Sequence, residues 1–262
     1  MKLIQTEKLL ALMSQLRNPE GGCPWDLRQT FSSLIPYTIE EVYEVVDAIE
    51  RADMEDLRGE LGDLLLQVVF YAQLAAEQNL FDFEQIAESI NAKLIHRHPH
   101  VFANVVFESD DQRQQAWEQA KAQERSIKST QDSSILSGIA ANLPALMYAE
   151  KIQDRAAQQG FDWQETAPVF NKLHEELQEL EQAWQFGNES HIYEEIGDLL
   201  LVTVNLARHL KINPELALKH SIAKFSNRFR YLEQQVALSN RQLTDCDLAE
   251  LENFWQQAKM QN

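Results

Sequence analysis

The feature that most constrains this chain is that it is written twice. The stretch "RGELGDLLLQVVFYA", Arg58 to Ala72, returns as "YEEIGDLLLVTVNLA", Tyr193 to Ala207. Upstream of each copy lies a second acidic motif, "EEVYE" at Glu40–Glu44 and "EELQE" at Glu175–Glu179. Glu41 and Glu176 stand 135 positions apart, and so do Asp63 and Asp198, so no gap falls between the two acidic motifs. Arg17 and Trp25 match Arg155 and Trp163, "AKLIHR" (Ala92–Arg97) matches "AKFSNR" (Ala223–Arg228), and each half closes on W-x-Q-A-K, at Trp117–Lys121 and Trp255–Lys259. A repeat of this kind is one structural module used twice. The expected organisation is a first module over 1–125, a Ser-rich linker over 126–142 and a second module over 143–262.

Apolar residues recur at three- and four-residue spacing almost everywhere, strand-like alternation is scarce, and eight glycines and seven prolines punctuate 262 residues. The fold class this predicts is all-α. Helices are expected over Ile4–Leu16, Leu34–Ala52, Met54–Gln78, Phe83–His96 and Asp111–Lys128 in the first half. In the second they are expected over Ala145–Gln159, Pro168–Phe186, Ser190–Lys211, Pro214–Ala237 and Leu248–Ala258. The longest apolar runs are broken by Gln67 and Asn205, and none has the roughly 18 residues a membrane span needs. Because those runs are apolar around most of the helix, each needs cover on several sides, which predicts a homo-oligomer, most simply a homodimer.

Glu176 and Glu179 are one helical turn apart, and Glu195 and Asp198 repeat that spacing on the next helix. A short turn near Gly187–Asn188 sets the two helices antiparallel, so the two pairs can face each other. Carboxylates converging in this way oppose one another's ionisation, and a hard cation relieves the repulsion. An all-oxygen set without His or Cys points to Mg²⁺ or Mn²⁺. Glu41, Glu44, Glu60 and Asp63 offer the same set in the first half. Lys172 lies one turn before Glu176, and Lys224 and Arg228 share a helical face, which suits a phosphate chain held beside the metal. An acidic helical face is ordinarily just a solvated one. Yet with roughly one residue in six acidic, four acidic positions matching at one offset is a chance on the order of one in a thousand.

Several residues carry two readings. Gly62 and Gly197 sit between acidic partners, and either close approach of a helix or ligand or tight packing alone accounts for them. Thr38-x-x-Glu41 also fits a capping box. Trp255 could stack on a base or belong to the core. "HRHPH", His96–His100, reads as a turn with half-exposed histidines or as a metal site.

The formal charge of −18 disfavours nucleic acid as a partner. Two cysteines outside any C-x-x-C pattern and an amphipathic N-terminus without a signal-peptide core suit the cytoplasm. A di-iron bundle needs Glu-x-x-His, and no Glu here has His at that spacing. A non-enzymatic helical repeat that binds a partner through its acidic faces remains the alternative.

"EExxE" followed by "ExGD", with Lys and Arg on the next helix, resembles the MazG family of nucleoside triphosphate pyrophosphohydrolases. "GCPWD" (Gly22–Asp26), "HRHPHVF" (His96–Phe102) and "KIQDRAAQQGFDW" (Lys151–Trp163) are similar to its long, tandem bacterial members. The resemblance implies four-helix bundles completed by dimerisation, with Mg²⁺ held by the acidic residues. It implies hydrolysis of NTP or dNTP, ATP included, to monophosphate and pyrophosphate, in the housecleaning of nucleotide pools. It implies metal-binding and catalytic roles for Glu176, Glu179, Glu195 and Asp198, and substrate contacts from Lys172, Glu175, His191, Lys224, Arg228 and Trp255. The first-half counterparts are Glu41, Glu44, Glu60 and Asp63, with Lys93, Arg97 and Trp117. His191 departs from the Lys expected there.

Overall fold

A computed structural model of the chain describes residues 4–103, 105–128 and 134–260, without the side chains of 122 and 125–128. It has twelve α-helices, one 3₁₀ turn and no strand among the described residues. The chain divides into two compact units, Met1–Glu124 and Arg125–Asn262. Part of the expected linker, 129–133, lies outside the described residues.

The first unit contains α1 (Ile4–Leu16), α2 (Pro24–Leu27), α3 (Ile35–Glu50), α4 (Met54–Glu77), α5 (Phe83–Arg97) and α6 (Pro99–Phe102). Helix α7 (Asp110–Lys128) carries the chain to the boundary. The second unit contains α8 (Ala145–Ala157), α9 (Ala167–Phe186), α10 (Glu189–His209), α11 (Pro214–Leu238) and α12 (Leu248–Lys259), with a 3₁₀ turn at Leu243–Asp245. Each helix read from periodicity is present within two residues of its expected ends. The one-turn elements α2, α6 and the 3₁₀ turn escaped, because a single turn contains no period to detect.

In each unit the central element is an antiparallel helix pair, α3 with α4 and α9 with α10. The connections are equivalent. Ala52 and Gly187 occupy the left-handed region, at φ 55° and 67°. The next residue, Asp53 or Asn188, caps the following helix by accepting backbone N–H bonds, from Glu55 and Asp56 in one case and from His191 in the other. A left-handed residue followed by an Asp or Asn cap turns the chain back within three residues, so the acidic motifs on either side must face each other.

The first unit's core is Met13, Leu34, Val69, Phe70 and Leu74, with Leu66 and Tyr71 packed against it. Arg17 ties the end of α1 to the end of α4. Its Nε donates to Glu77 Oε1 at 2.8 Å and a terminal nitrogen to Oε2 at 2.6 Å. It also donates to the Asp26 carbonyl and lies over the Phe70 ring, 5.6 Å from its centroid. The Arg17 side chain is 7% exposed, so the pair is a fork held largely away from water.

The bonds from Arg17 hold the Glu77 carboxyl below its usual range. A depressed carboxyl stabilises the fold above its unfolded-state pKa and loses that contribution as pH falls through the folded value. Glu77→Gln leaves a buried guanidinium without its counter-charge and should cost about 3 kcal/mol in the first unit's urea transition. The loss relative to the unmodified chain should shrink as the pH is lowered into the carboxyl range. Equal loss at neutral and acidic pH would contradict the assignment.

Candidate active site

The helix pairs bring three carboxylates together in each unit. In the second, one oxygen each from Glu176, Glu179 and Glu195 lie within 4.8 Å of one another; in the first, Glu41, Glu44 and Glu60 do so. A divalent ion with Mg–O distances of about 2.1 Å sets opposite ligands roughly 4.2 Å apart, so a small contraction closes each group on a cation. The donors are all oxygen, which fits a hard ion.

The fourth acid stands apart from the group in both copies. Asp198 and Asp63 lie outside the close trio. They are near enough to act on it: loss of solvation first, then repulsion from Glu179, Glu176 and Asp198, raises the pKa of Glu195. Glu41 is raised by burial and then by Asp63 and Glu44. Glu60 is raised by loss of solvation, then by Glu44, Asp56 and Asp63. In each unit three of the four expected carboxylates thus lie close together, with the aspartate beside them.

The two clusters differ in what faces them. Lys172 Nζ lies 2.6 Å from Glu175 Oε1 and 2.8 Å from Glu176 Oε1, and Glu176 is buried. These two carboxylates raise the Lys172 pKa, so it remains a cation. The first unit has Tyr37 at that position and places Gln67 near Glu41 instead, its Nε2 donating weakly at 3.5 Å. Gln67 is buried and its Oε1 finds no partner among the described residues. Gln67 and Asn205 are the polar breaks noted in the two apolar runs, and both turn out to be buried beside the helix pair.

The expected capping box at Thr38 is absent. Helix α3 begins at Ile35, with Pro36 in its first turn and Leu34 as N-cap, so Thr38 already lies inside it. Its hydroxyl donates to the Leu34 carbonyl and contacts the Tyr71 hydroxyl at 2.9 Å, leaving Glu41 to the cluster. Tight packing within the chain does not account for Gly62 or Gly197: a Cβ built on either meets nothing within 4 Å.

The remaining expected residues lie elsewhere. Lys224 and Arg228 sit on α11, which packs mainly on α12 and α8. Among the described residues no hydrogen bond or ion pair joins them, or Trp255, to the carboxylates. The Arg228 Nε is buried without a partner, and Trp255 packs on Phe225 at 5.0 Å between ring centroids. In the first unit Arg97 forks onto Glu124, Trp117 lies beneath the Lys121 ammonium, and Lys93 is half-buried on α5. His191 touches the site through its charge, which favours ionised Glu195. The histidines of "HRHPH" form a turn into α6, with His98 and His100 rings 5.7 Å apart, and no group of three metal-ligand residues forms there among the described residues.

What sequence reasoning missed is a cleft in the second unit whose lining includes Lys172, Glu176 and Asp198 as well as Gln153, Trp163 and Asn205. One wall is an ionic network. A terminal nitrogen of Arg208 lies 2.7 Å from Asp162 Oδ1, Arg208 also donates to Asn205 Oδ1, and His209 Nε2 meets Asp162 Oδ1 at 2.9 Å.

Two helix pairs, each presenting a close carboxylate trio, make a tandem all-α protein with an all-oxygen cluster suited to a hard cation in each unit. The MazG nucleotide pyrophosphohydrolase domain matches residues 29–102 and 164–232, and the chain belongs to that family. It is similar to the nucleoside triphosphate pyrophosphohydrolase of Escherichia coli K12, 50% identical over 259 residues and covering 98% of each chain. It is 42% identical over 253 residues to the nucleoside triphosphate pyrophosphohydrolase/pyrophosphatase MazG of Thermotoga maritima, covering 97% of this chain and 95% of that one. A nucleoside triphosphate pyrophosphohydrolase of Mycobacterium tuberculosis matches 58% of this chain at 40% identity. The reading as a non-enzymatic acidic scaffold gives way to this family. Among the described residues no helix is long and apolar enough to cross a membrane.

The raised pKa of Glu195 means that ionising this carboxyl opposes folding at neutral pH, and that protonating it, as pH falls, relieves the cost. Mg²⁺ at about one hundred times its Kd should stabilise the protein by about 2.7 kcal/mol. Glu195→Gln, measured without metal by differential scanning calorimetry, should melt higher than the unmodified protein. It should then gain less from added Mg²⁺. A lower metal-free melting temperature would show that Glu195 is not under repulsive load.

Proposed function

We propose that the second unit hydrolyses nucleoside triphosphates to the monophosphate and pyrophosphate, with Glu176, Glu179 and Glu195 holding Mg²⁺. Mn²⁺ is the natural substitute, since it shares the preference for oxygen ligands. The observation that carries this reading is the close carboxylate trio joined to a paired lysine, in a chain of the MazG family. When bound, the cation supplies charge neutralisation for the triphosphate oxygens. Lys172 Nζ, poised between Glu175 and Glu176, moves onto a phosphate oxygen as substrate arrives. Asp198, which stands outside the trio, is the free carboxylate. It accepts the proton of the water that attacks the α-phosphorus in line, with pyrophosphate leaving. His191 lies one turn before Glu195 on the same helix, within reach of the substrate in this reading. Lys224 and Arg228 on α11, and Trp255 on α12, complete the substrate contacts in this reading.

The first unit is the weaker site in this proposal. Its cluster has Tyr37 where the second has Lys172, and Glu41 receives an amide from Gln67. Glu44, Glu60 and Asp63 complete its acidic set, with Lys93, Arg97 and Trp117 as its substrate residues; Arg97 must leave Glu124 to serve. The physiological role proposed is removal of unwanted nucleotides from the pool in the cytoplasm.

A homodimer is part of the same reading. On α10 Leu200 and Leu201 are 54% and 45% exposed, and Trp184 and Phe186 at the end of α9 are 71% and 84% exposed. Together with the open space beside Gly197, these leave a helix-pair surface that a second copy would cover.

Purified protein with Mg²⁺ should release NMP and pyrophosphate in equal amounts, and EDTA should stop it; NDP and orthophosphate would overturn the α-phosphorus assignment. Asp198→Asn should lower kcat by about a hundred-fold or more while Mn²⁺ binding, read by electron paramagnetic resonance, persists. Glu195→Gln should weaken the ion instead, and Asp63→Asn should leave most turnover in place. If Asp63→Asn is the more damaging change, the first unit is the working site.

Light scattering should give twice the chain mass at micromolar concentration. A fully active monomer would refute the dimer.

A further inference from the structure

The carboxylates of the first unit have no counter-ion of their own. In the second unit Lys172 Nζ lies 2.8 Å from Glu176, whereas the aligned residue in the first is Tyr37. Arg51, at the turn between α3 and α4, is taken up by Asp47, Asp53 and Asp56. Among the described residues no ion pair reaches Glu41, Glu44 or Glu60, although the three converge within 4.8 Å. A cation that balances this cluster must come from solution.

A second observation stands beside the cluster. Gln67, on α4, is 7% exposed. Its Nε2 donates to Glu41 Oε1 at 3.5 Å, which ties the amide to the cluster. Its Oε1 is buried with no hydrogen bond among the described residues. Turning the amide over would set Oε1 against a carboxylate oxygen, acceptor against acceptor. A buried acceptor held in this way calls for a donor from outside the chain. Mg²⁺ and Mn²⁺ are hard, oxygen-seeking ions, and Mg²⁺ keeps several of its waters when a protein binds it. A water on such an ion is a donor of the kind Gln67 lacks. The second unit has Val202 at the aligned position, which offers no acceptor.

We propose that the first unit holds a hydrated divalent cation as a resident structural ion, with Gln67 Oε1 accepting a hydrogen bond from one of its waters while Gln67 Nε2 steadies Glu41. Gln67 acts through the water and through Glu41, so it is a positioning residue. The ion holds α3 against α4 and needs no nucleotide to stay. Beside it Trp25 meets Tyr37 and Phe70 edge to face, and these rings give a phosphate chain no positive charge. This role goes beyond the reaction proposed for the second unit and does not depend on it.

The test uses the full chain carrying Glu179→Gln and Glu195→Gln, which take two charges from the second trio. Without nucleotide it should still bind one Mn²⁺ per chain, read by electron paramagnetic resonance. Adding Gln67→Met, which keeps the length and removes both amide atoms, should weaken that Mn²⁺ about ten-fold. Gln67→Glu, which restores an acceptor oxygen, should bind at least as tightly as the parent. By calorimetry Gln67→Met should melt no lower than the parent without metal and should gain less from added Mn²⁺. In the otherwise unmodified chain, Gln67→Met should release pyrophosphate as the unmodified protein does. Loss of all Mn²⁺ once the second trio is disabled overturns the site. An unchanged Kd in Gln67→Met means that an ordinary buried water meets Oε1, and overturns it too. Turnover that falls with Gln67→Met makes the ion catalytic, not structural. A Gln67-sensitive Mn²⁺ in a protein that releases no pyrophosphate from ATP sinks the reaction and leaves this site standing.

Discussion

Carboxylates on facing helices repel one another, and the architecture of each unit is arranged around that repulsion. Helix α3 with α4, and α9 with α10, are turned back on each other within three residues, so the acidic motifs cannot move apart without opening the turn. Loss of solvation first, and then repulsion from the neighbouring carboxylates, raises the pKa of Glu41, Glu60 and Glu195. A group that resists ionisation in the free protein is one that gains when a cation arrives, so the same term that weakens the fold favours binding. The Lys172 ammonium offsets part of the repulsion in the second unit, and the Gln67 amide answers Glu41 in the first.

Duplication supplied two copies of this device, and three positions set them apart. Tyr37 and Lys172, Gln67 and Val202, Phe70 and Asn205 occupy equivalent places along the helix pair. In the first unit the choices are two aromatic rings and an amide, which together with Trp25 fill the space beside the carboxylates. In the second they are a cation, an aliphatic side chain and a short amide, and a cleft opens there. The acidic motifs are nearly identical, so a motif search treats the copies as equals. The surroundings decide which of them opens a cleft beside its carboxylates.

The helix-pair surfaces extend the same logic outward. An α10 that buries Val202, Val204 and Asn205 inside its unit still leaves Leu200 and Leu201 substantially exposed. A helix apolar on most of its circumference cannot satisfy itself against a single neighbour. Gly197 leaves open space at the level of the acidic group, where a β-carbon would meet nothing.

The sequence by itself determined the helices, their order and their duplication, because helical periodicity and a constant 135-residue offset are local, countable properties. It also determined which carboxylates converge, since i, i+3 spacing on two helices joined by a three-residue turn leaves little geometric freedom. It left two readings of Thr38 open, and the structure removes the capping box, because the helix starts at Ile35 and Thr38 lies inside it. It could not separate Asp198 from the trio, a distinction of a few ångströms along one helix. Nor could it see that Trp25 meets Phe70 edge to face, or that Gln153 donates to the Leu201 carbonyl while Arg208 reaches Asp162. Those facts join residues about 45 to 50 positions apart across helix faces, and no repeat or spacing in a chain encodes such pairings. Only the packing of α8, α9 and α10 against one another decided them, because there a side chain's size, and not its periodicity, sets whether space is filled or left open.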